Sequence, residues 1–166
     1  FEAAVNPHPT AVDSNPFDVE VLSGGKALVA DAGGNDLLIV DQSGRVDWVA
    51  VFPNELVSTA DLKALAGCPT PPTGLEFICG LPPMLSAQAV STSVAIGSDG
   101  AYYVGELKGF PAPRRESRVW RIEPGTLHAD CGSSPACSVF ADGFTSIVDL
   151  AFGPDGYIRY GLDDPL

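Results

Sequence analysis

Residues 92–106 read Thr92-Ser93-Val94-Ala95-Ile96-Gly97-Ser98-Asp99-Gly100-Ala101-Tyr102-Tyr103-Val104-Gly105-Glu106. This is a short alternating strand, a tight turn ending in glycine, and a second apolar strand. Asp99-Gly100 supplies the positive φ that tight hairpin turns need, so the stretch reads as a β-hairpin. The pattern occurs twice more. Phe17-Asp18-Val19-Glu20-Val21-Leu22 leads through Ser23-Gly24-Gly25 into Lys26-Ala27-Leu28-Val29-Ala30-Asp31. Val148-Asp149-Leu150-Ala151-Phe152 leads through Gly153-Pro154-Asp155-Gly156 into Tyr157-Ile158-Arg159-Tyr160.

Two of the hairpins continue into further strands. After the first come Leu37-Leu38-Ile39-Val40, a Ser43-Gly44 turn and Val46-Asp47-Trp48-Val49-Ala50-Val51-Phe52. That predicts a four-stranded meander over about 17–22, 26–31, 36–41 and 45–52. The second unit repeats the scheme, with a third strand near 117–123 and a fourth near 138–141. Four-stranded antiparallel units in series are the blades of a β-propeller, so the expected fold is all-β. A β-sandwich would not need its units to resemble one another.

The units recur at longer intervals than the about 40–50 residues of compact propeller repeats. Two insertions account for the excess. One covers 53–89, carries Cys68 and Cys79, and predicts a short helix over 60–66 with Ser58 and Asp61 as its capping pair and Gly67 as its stop. The other covers 107–116. One domain, 1–166, is therefore expected: 1–14 as the end of a preceding blade and a linker, 15–52 as a blade, 53–91 as the insertion, 92–141 as a blade with a loop insertion, and 146–166 as the start of another. Residues 1–5 would be the outer strand of that preceding blade, and the third unit would stop after two strands. Open blade faces built from Val19, Val21, Val94, Ile96, Leu150 and Phe152 would then need covering.

Composition agrees with a turn-rich β protein. Glycine (18) and proline (15) make up about a fifth of the 166 residues, and 45% are hydrophobic against 18% charged. Nine basic and 21 acidic side chains give a net charge of −12. That balance argues against a nucleic-acid partner and against an anionic membrane surface. No run approaches the about 18–20 apolar residues of a membrane span. The opening FEAAVNPHPT has neither a charged n-region nor an apolar h-region, which is also how a mature secreted chain looks.

Cys68, Cys79, Cys131 and Cys137 contain no CxxC pair, and the two histidines, His8 and His128, lie far apart, so zinc-finger spacing is absent. Four cysteines permit three pairings, with reduced core cysteines as the alternative. Local pairing, Cys68–Cys79 and Cys131–Cys137, is favoured because each spacing spans one loop. Disulfides imply an oxidising compartment, extracellular or periplasmic.

Several stretches resemble one family. Asn15-Pro16-Phe17, Val29-Ala30-Asp31-Ala32-Gly33-Gly34-Asn35-Asp36-Leu37-Leu38, Ala101-Tyr102-Tyr103-Val104-Gly105-Glu106-Leu107-Lys108-Gly109-Phe110-Pro111 and Asp149-Leu150-Ala151-Phe152-Gly153-Pro154-Asp155-Gly156 are similar to the ScyD/ScyE family of secreted bacterial β-propellers. The broader NHL and gluconolactonase-like six-bladed propellers resemble the chain more weakly. Family members are longer, so the chain resembles an interior portion. The remaining blades would come from the same longer chain or from an assembly. Arg159-Tyr160-Gly161-Leu162 departs from the apolar second strand of the family pattern, and the two cysteine pairs are not a family feature. The resemblance implies a fold and a secreted location; it assigns no activity.

No GxSxG, P-loop, GxGxxG, HExxH or EF-hand motif is present. His8 lies between two prolines and His128 in a polar loop, so both read as surface residues. Aligning the units puts Asp18, Ser93 and Asp149 at one equivalent position, at the start of the strand that would line the channel, and Asp31 and Glu106 at another. With Asn15, the first set forms the ligand or channel candidates, and Asn15, Asp18 and Asp149 are the ligands if Ca²⁺ is present. The competing reading makes Asp18 and Asp149 acceptors for backbone N–H groups, and Asp31 and Asn35 turn-fixing residues. Arg114, Arg115 and Arg118 would mark an anion-binding spot or a solvated loop. Trp48 and Trp120 read as packing residues on strands.

Three functional readings follow. The leading one is a secreted, non-catalytic propeller module that binds a small molecule or a protein through its channel mouth or blade-top loops. The second is a Ca²⁺-dependent lactonase or hydrolase of the six-bladed kind, in which the ion polarises a carbonyl and Asp149 or Asp18 acts as base. The third is an extracellular structural or assembly protein with exposed sheet edges.

Overall fold

The computed structural model describes residues 13–162, and the fold is all-β with several antiparallel sheets. In the first sheet β1 (Pro16–Leu22), β2 (Lys26–Asp31), β3 (Asp36–Val40) and β4 (Val46–Val51) form an antiparallel meander. The insertion that follows is framed by the hairpin of β5 (Glu55–Ser58) and β6 (Met84–Ala87), which encloses α1 (Ala60–Leu65) and α2 (Glu76–Cys79). The second meander runs through β7 (Ser91–Ile96), β8 (Tyr102–Glu106), β9 (Ser117–Ile122) and β11 (Cys137–Phe144). The last sheet is the hairpin of β12 (Ile147–Phe152) and β13 (Ile158–Leu162).

The turns form as the Asp-Gly signals require. Gly100 and Gly156 have φ of 76° and 77°, the left-handed region that glycine enters without a Cβ penalty. Asp99 Oδ1 accepts the Ala101 N–H and Asp155 Oδ1 accepts the Tyr157 N–H, so the two turns share one bonding scheme. Arg159-Tyr160-Gly161-Leu162 pairs as strand β13 despite its polar sequence.

The first strand of each unit also carries the same irregularity. The ladder skips a residue between Pro16 and Asp18 in β1, between Ser91 and Ser93 in β7, and between Ile147 and Asp149 in β12. A bulge re-aims the side chains that follow it. Here it brings Asp18, Ser93 and Asp149 to matching register, opposite Ala30, Gly105 and Gly161.

The sheets stack face to face. Leu28, Ala30, Leu37, Val49 and Phe52 of the first sheet form one buried cluster with Val94, Tyr102, Val104, Trp120 and Ile122 of the second. The opposite face of the second sheet, through Ala95, Tyr103 and Val119, packs on Ile147 and Leu150, with Phe152 beside them. Each fully buried aliphatic or aromatic side chain contributes about 1.5–3 kcal/mol. Strand β7 thus lies between β1 and β12. Glycine at position 105 is required by this approach: a Cβ there would lie 2.6 Å from Ser93 Oγ and 2.7 Å from Ile147 Cγ2.

Several expectations need correction. The first sheet gains a fifth strand, β10 (Ala129–Asp130), which pairs parallel with β4. Backbone pairing continues beyond it, with the Cys131 N–H bonded to Val51 O at 3.0 Å. The fourth strand of the second meander runs on to Phe144 through two register shifts, past the expected 138–141. Helix α1 starts after Thr59, whose side chain makes no capping bond; Ser58 Oγ instead accepts the Ala60 N–H, and the expected Ser58–Asp61 capping pair does not form. Gly67, at φ 78°, ends the helix as read. Of the six residues expected on open faces, Val94 and Leu150 are buried between sheets at 2% and 4% exposure, whereas Val19 and Val21 remain open at 55% and 71%. Among the described residues the sheets close no ring or barrel, and the expected strand over 1–5 lies outside those residues.

Cys68–Cys79 and Cys131–Cys137 are both disulfide-bonded, and no described cysteine is free. Among the described residues no helix is long and apolar enough to cross a membrane. The two disulfides are consistent with an extracellular protein.

Candidate functional site

Asp18 joins two sheets. Its Oδ1 accepts the Val19 N–H and its Oδ2 accepts the Val94 N–H, both at 2.8 Å. Val94 is almost wholly buried, so this bond satisfies a donor that water does not reach. The neighbouring joint uses Thr92, whose Oγ1 donates to Ile147 O at 2.6 Å. Ser93 is completely buried, and its Oγ has no hydrogen-bond partner among the described residues. Asp149 is exposed. Asn15 acts through its backbone, donating to Asp31 Oδ1 at 2.7 Å and accepting from the Ala32 N–H at 3.0 Å. The four channel candidates thus differ in exposure and in role. No group of three or more His, Cys, Asp or Glu suited to a metal ion occurs among the described residues.

Removing the Asp18 carboxylate leaves the Val94 N–H unsatisfied. Asp18→Ala is expected to cost about 1–3 kcal/mol in urea unfolding, and Asp18→Asn, which keeps an acceptor, clearly less. Equal losses for the two variants would show that the bond does not act.

Asp31 fixes a turn. Its Oδ1 accepts N–H bonds from Asn15, Gly33 and Gly34, while Oδ2 accepts from Ser14 Oγ at 2.5 Å. Asn35 Oδ1 accepts the Val90 N–H at 2.8 Å, tying that turn to the chain entering β7. His128 rests on the Trp48 ring, with centroids 5.0 Å apart, and its Nε2 is 2.8 Å from Asp47 Oδ1. That contact holds the Asp47 carboxyl below its usual range. His8 lies outside the described residues. The three arginines do not act together: Arg114 and Arg115 are exposed on the loop, and Arg118 turns into the structure.

The counterpart of Asp31 has a different role. Glu106, 1% exposed at the end of β8, accepts from Lys108 Nζ at 2.6 Å and from Trp120 Nε1 at 2.6 Å. Lys108, also 1% exposed, reaches Glu55 Oε2 at 2.5 Å. Arg118 Nη1 lies 2.7 Å from Glu55 Oε1, and its Nε lies 3.4 Å from Glu106 Oε1. Two acids and two bases thus neutralise one another, with Glu106 and Lys108 buried and Glu55 and Arg118 partly exposed. Burial raises the Glu106 carboxyl above its usual value, and Lys108 and then Arg118 oppose that rise.

This network clamps the two insertions together. Glu55 belongs to the first, Lys108 to the second, and Glu106 and Arg118 to the strands β8 and β9 that flank the second. The backbone adds three bonds, from the Leu107, Lys108 and Gly109 N–H groups to Val90, Ala89 and Gln88 carbonyls. Helix α1 is anchored separately: Lys63 Nζ donates to Leu81 O, Thr59 Oγ1 donates to Pro82 O, and the Cys68–Cys79 disulfide follows its C-terminus.

Between the clamped insertions lies a cleft of about 190 Å³. Leu62 and Leu65 of α1 line one side and Pro111, Pro113 and Arg114 the other, with Asp61 and Thr145 at its edges. Thr145 Oγ1 accepts the Arg115 N–H at 3.1 Å, which fixes the loop against the main sheets. The lining is mostly apolar, with one acid, one base and the hydroxyls of Ser58 and Thr145. Sequence reading missed both cleft and network. The alternation Glu106-Leu107-Lys108 and Arg118-Val119-Trp120 carried part of the signal, but nothing in the sequence marked Glu55 as their partner.

Comparison with protein-family models, with curated proteins and with solved structures found no match to the chain.

Proposed function

We propose that the chain is part of a secreted β-propeller of the ScyD/ScyE kind and serves as a non-catalytic binding module, with the cleft between its two insertions as the binding site. The observation that carries the reading is convergence. Two insertions that interrupt otherwise regular meanders are joined by an ion pair from the buried Lys108 to Glu55 and leave a braced, mostly apolar recess between them. Ordering such a recess in advance lowers the entropy lost on binding. The bulge at the start of β1, β7 and β12, and the side-by-side stacking of those strands, support blades arranged about an axis. The resemblance and the disulfides support secretion.

Asp18 is engaged in backbone bonds, Ser93 is completely buried, and the described residues hold no cluster of acids suited to a metal ion, all of which favours binding over Ca²⁺-dependent hydrolysis. Incubating the protein with a broad panel of esters and lactones, with and without Ca²⁺, is expected to give no turnover above the uncatalysed rate. Robust hydrolysis of any member, abolished by Asp149→Ala or Asp18→Ala, would overturn the reading.

A further inference from the structure

The cleft between the insertions has a size that limits what it holds. At about 190 Å³ it is smaller than the roughly 300–1,000 Å³ of pockets that enclose a whole cofactor or drug-sized molecule. It is nearer the about 150 Å³ that admits a single benzene ring. The recess continues beyond its mouth. An open shelf of about 310 Å³ adjoins it, shares Asp61, Leu65 and Arg114 with it, and adds Ala64. A deep, mostly apolar recess beside a shallow shelf matches a chain that buries one side chain and lays its backbone alongside.

Both walls are held in one shape. Asp61 and Leu65 stand four residues apart on α1, on one face of the helix, with Leu62 beside them. On the other wall Pro111 and Pro113 are buried, and their rings fix φ. Ala112 between them has φ 54° and Arg115 has φ 61°, left-handed values that a non-glycine residue keeps only where its surroundings impose them. The Ala112 N–H bonds to Gly109 O at 2.8 Å, and the Arg115 N–H bonds to Thr145 Oγ1 at 3.1 Å. Proline has no N–H and the Ala112 N–H is already bonded, so residues 111–113 offer an incoming chain no main-chain donor. Recognition then depends on apolar contact and on the side chains at the rim. Leu65 is 68% exposed there, and Phe110, next to Pro111, is 55% exposed. Asp61 is exposed on the helix side and Arg114 on the loop side. The net charge of −12 attracts a basic partner as a whole, and Arg114 directs its cation toward the Asp61 side.

We propose that the cleft and shelf bind an extended segment of another polypeptide, which inserts one leucine-sized or aromatic side chain between Leu62 and Pro113 and sets a neighbouring lysine or arginine against Asp61. The proposal rests on the cleft as the binding site and adds the class of ligand. The cleft stands on loops at the strand ends and not on a sheet face, so blade-on-blade stacking does not use it.

A positional-scanning library of end-blocked hexapeptides, followed by fluorescence anisotropy, tests it, with indole and free phenylalanine as small probes followed by nuclear magnetic resonance. Peptides that bind are expected to share one bulky apolar residue next to a basic one. Leu65→Arg, at an exposed position, is expected to weaken them by about tenfold or more. Leu56→Arg, at a site 72% exposed on β5 and outside the cleft, is expected to leave them unchanged. Asp61→Lys is expected to turn the preference at the flanking position from basic to acidic, by about two- to fivefold, a change that a folding defect does not produce. Small probes that shift the cleft resonances while no peptide binds would overturn the polypeptide ligand and leave the cleft as a binding site. A flanking preference that Asp61→Lys does not alter would overturn the assigned cation contact. Absence of binding by peptides and probes alike, or peptide binding that Leu65→Arg does not weaken, would overturn both the ligand and the site.

Discussion

Replacing Lys108 by methionine is expected to lower the unfolding free energy by about 3–5 kcal/mol, because breaking a buried ion pair on one side leaves an uncompensated buried charge. Methionine fills most of the lysine volume, so the loss reports charge and not packing. Lys108 and Glu106 are each 1% exposed, and Glu106 keeps only Arg118 and the Trp120 N–H when the ammonium is removed. The double variant Lys108→Met/Glu106→Gln removes both charges and is expected to recover much of the loss. A double variant as unstable as the single one would show that the network does not work as a pair.

The same group sets a pH dependence. Burial raises the Glu106 carboxyl above its usual 4.5. With the folded value above the unfolded one, the stability it contributes is present below the unfolded pKa and is lost as pH rises through the folded value. Glutamine mimics the protonated form. The stability difference between wild type and Glu106→Gln is therefore expected to move in the variant's favour as pH rises from about 4 to 7. Asp41, Asp47, Asp99 and Asp155, whose carboxyls are held low by hydrogen bonds, act in the opposite direction and cancel in that difference. A difference independent of pH would contradict the raised value.

Phe52→Ala is expected to cost about 3–5 kcal/mol, the usual range for emptying a buried aromatic site. Phe52 is 1% exposed, just beyond β4, and its N–H is held by Asn35 O at 2.9 Å. Its ring meets Trp120 of the next sheet with centroids 5.8 Å apart. Val21→Ala, at an open position of the same sheet, is expected to stay within about 0.5 kcal/mol in the monomer. Losses of similar size at both sites would mean that the first two sheets do not pack through the face described.

The strands were legible because alternation and Asp-Gly turns are local. Residues 91–106 needed nothing beyond their own sequence to read as a hairpin, and the match of Phe17, Thr92 and Val148 aligned the three units. The bulge that follows from that match was not legible, since it is a backbone register and not a residue preference. The sequence allows Asp18 two roles, acceptor for backbone N–H groups or channel ligand. It caps, but across sheets, to an N–H 76 residues away that no local pattern reveals. The clamp escaped for the same reason, because Glu55 meets Lys108 at a separation of 53 residues. Strand β5, which carries Glu55, is only four residues long, and its partner β6 lies beyond two helices.

The central claim is that like sheets stack in series, each on the face of the next. One two-dimensional nuclear Overhauser spectrum of the aromatic region tests it most directly. Phe52 and Trp120 join the first pair of sheets, and Tyr103 and Phe152, with centroids 4.9 Å apart, join the second pair. Cross-peaks between the rings of both pairs are the expected result. A folded protein that shows neither, or that connects Phe52 with Phe152, would contradict the stacking order on which the account depends.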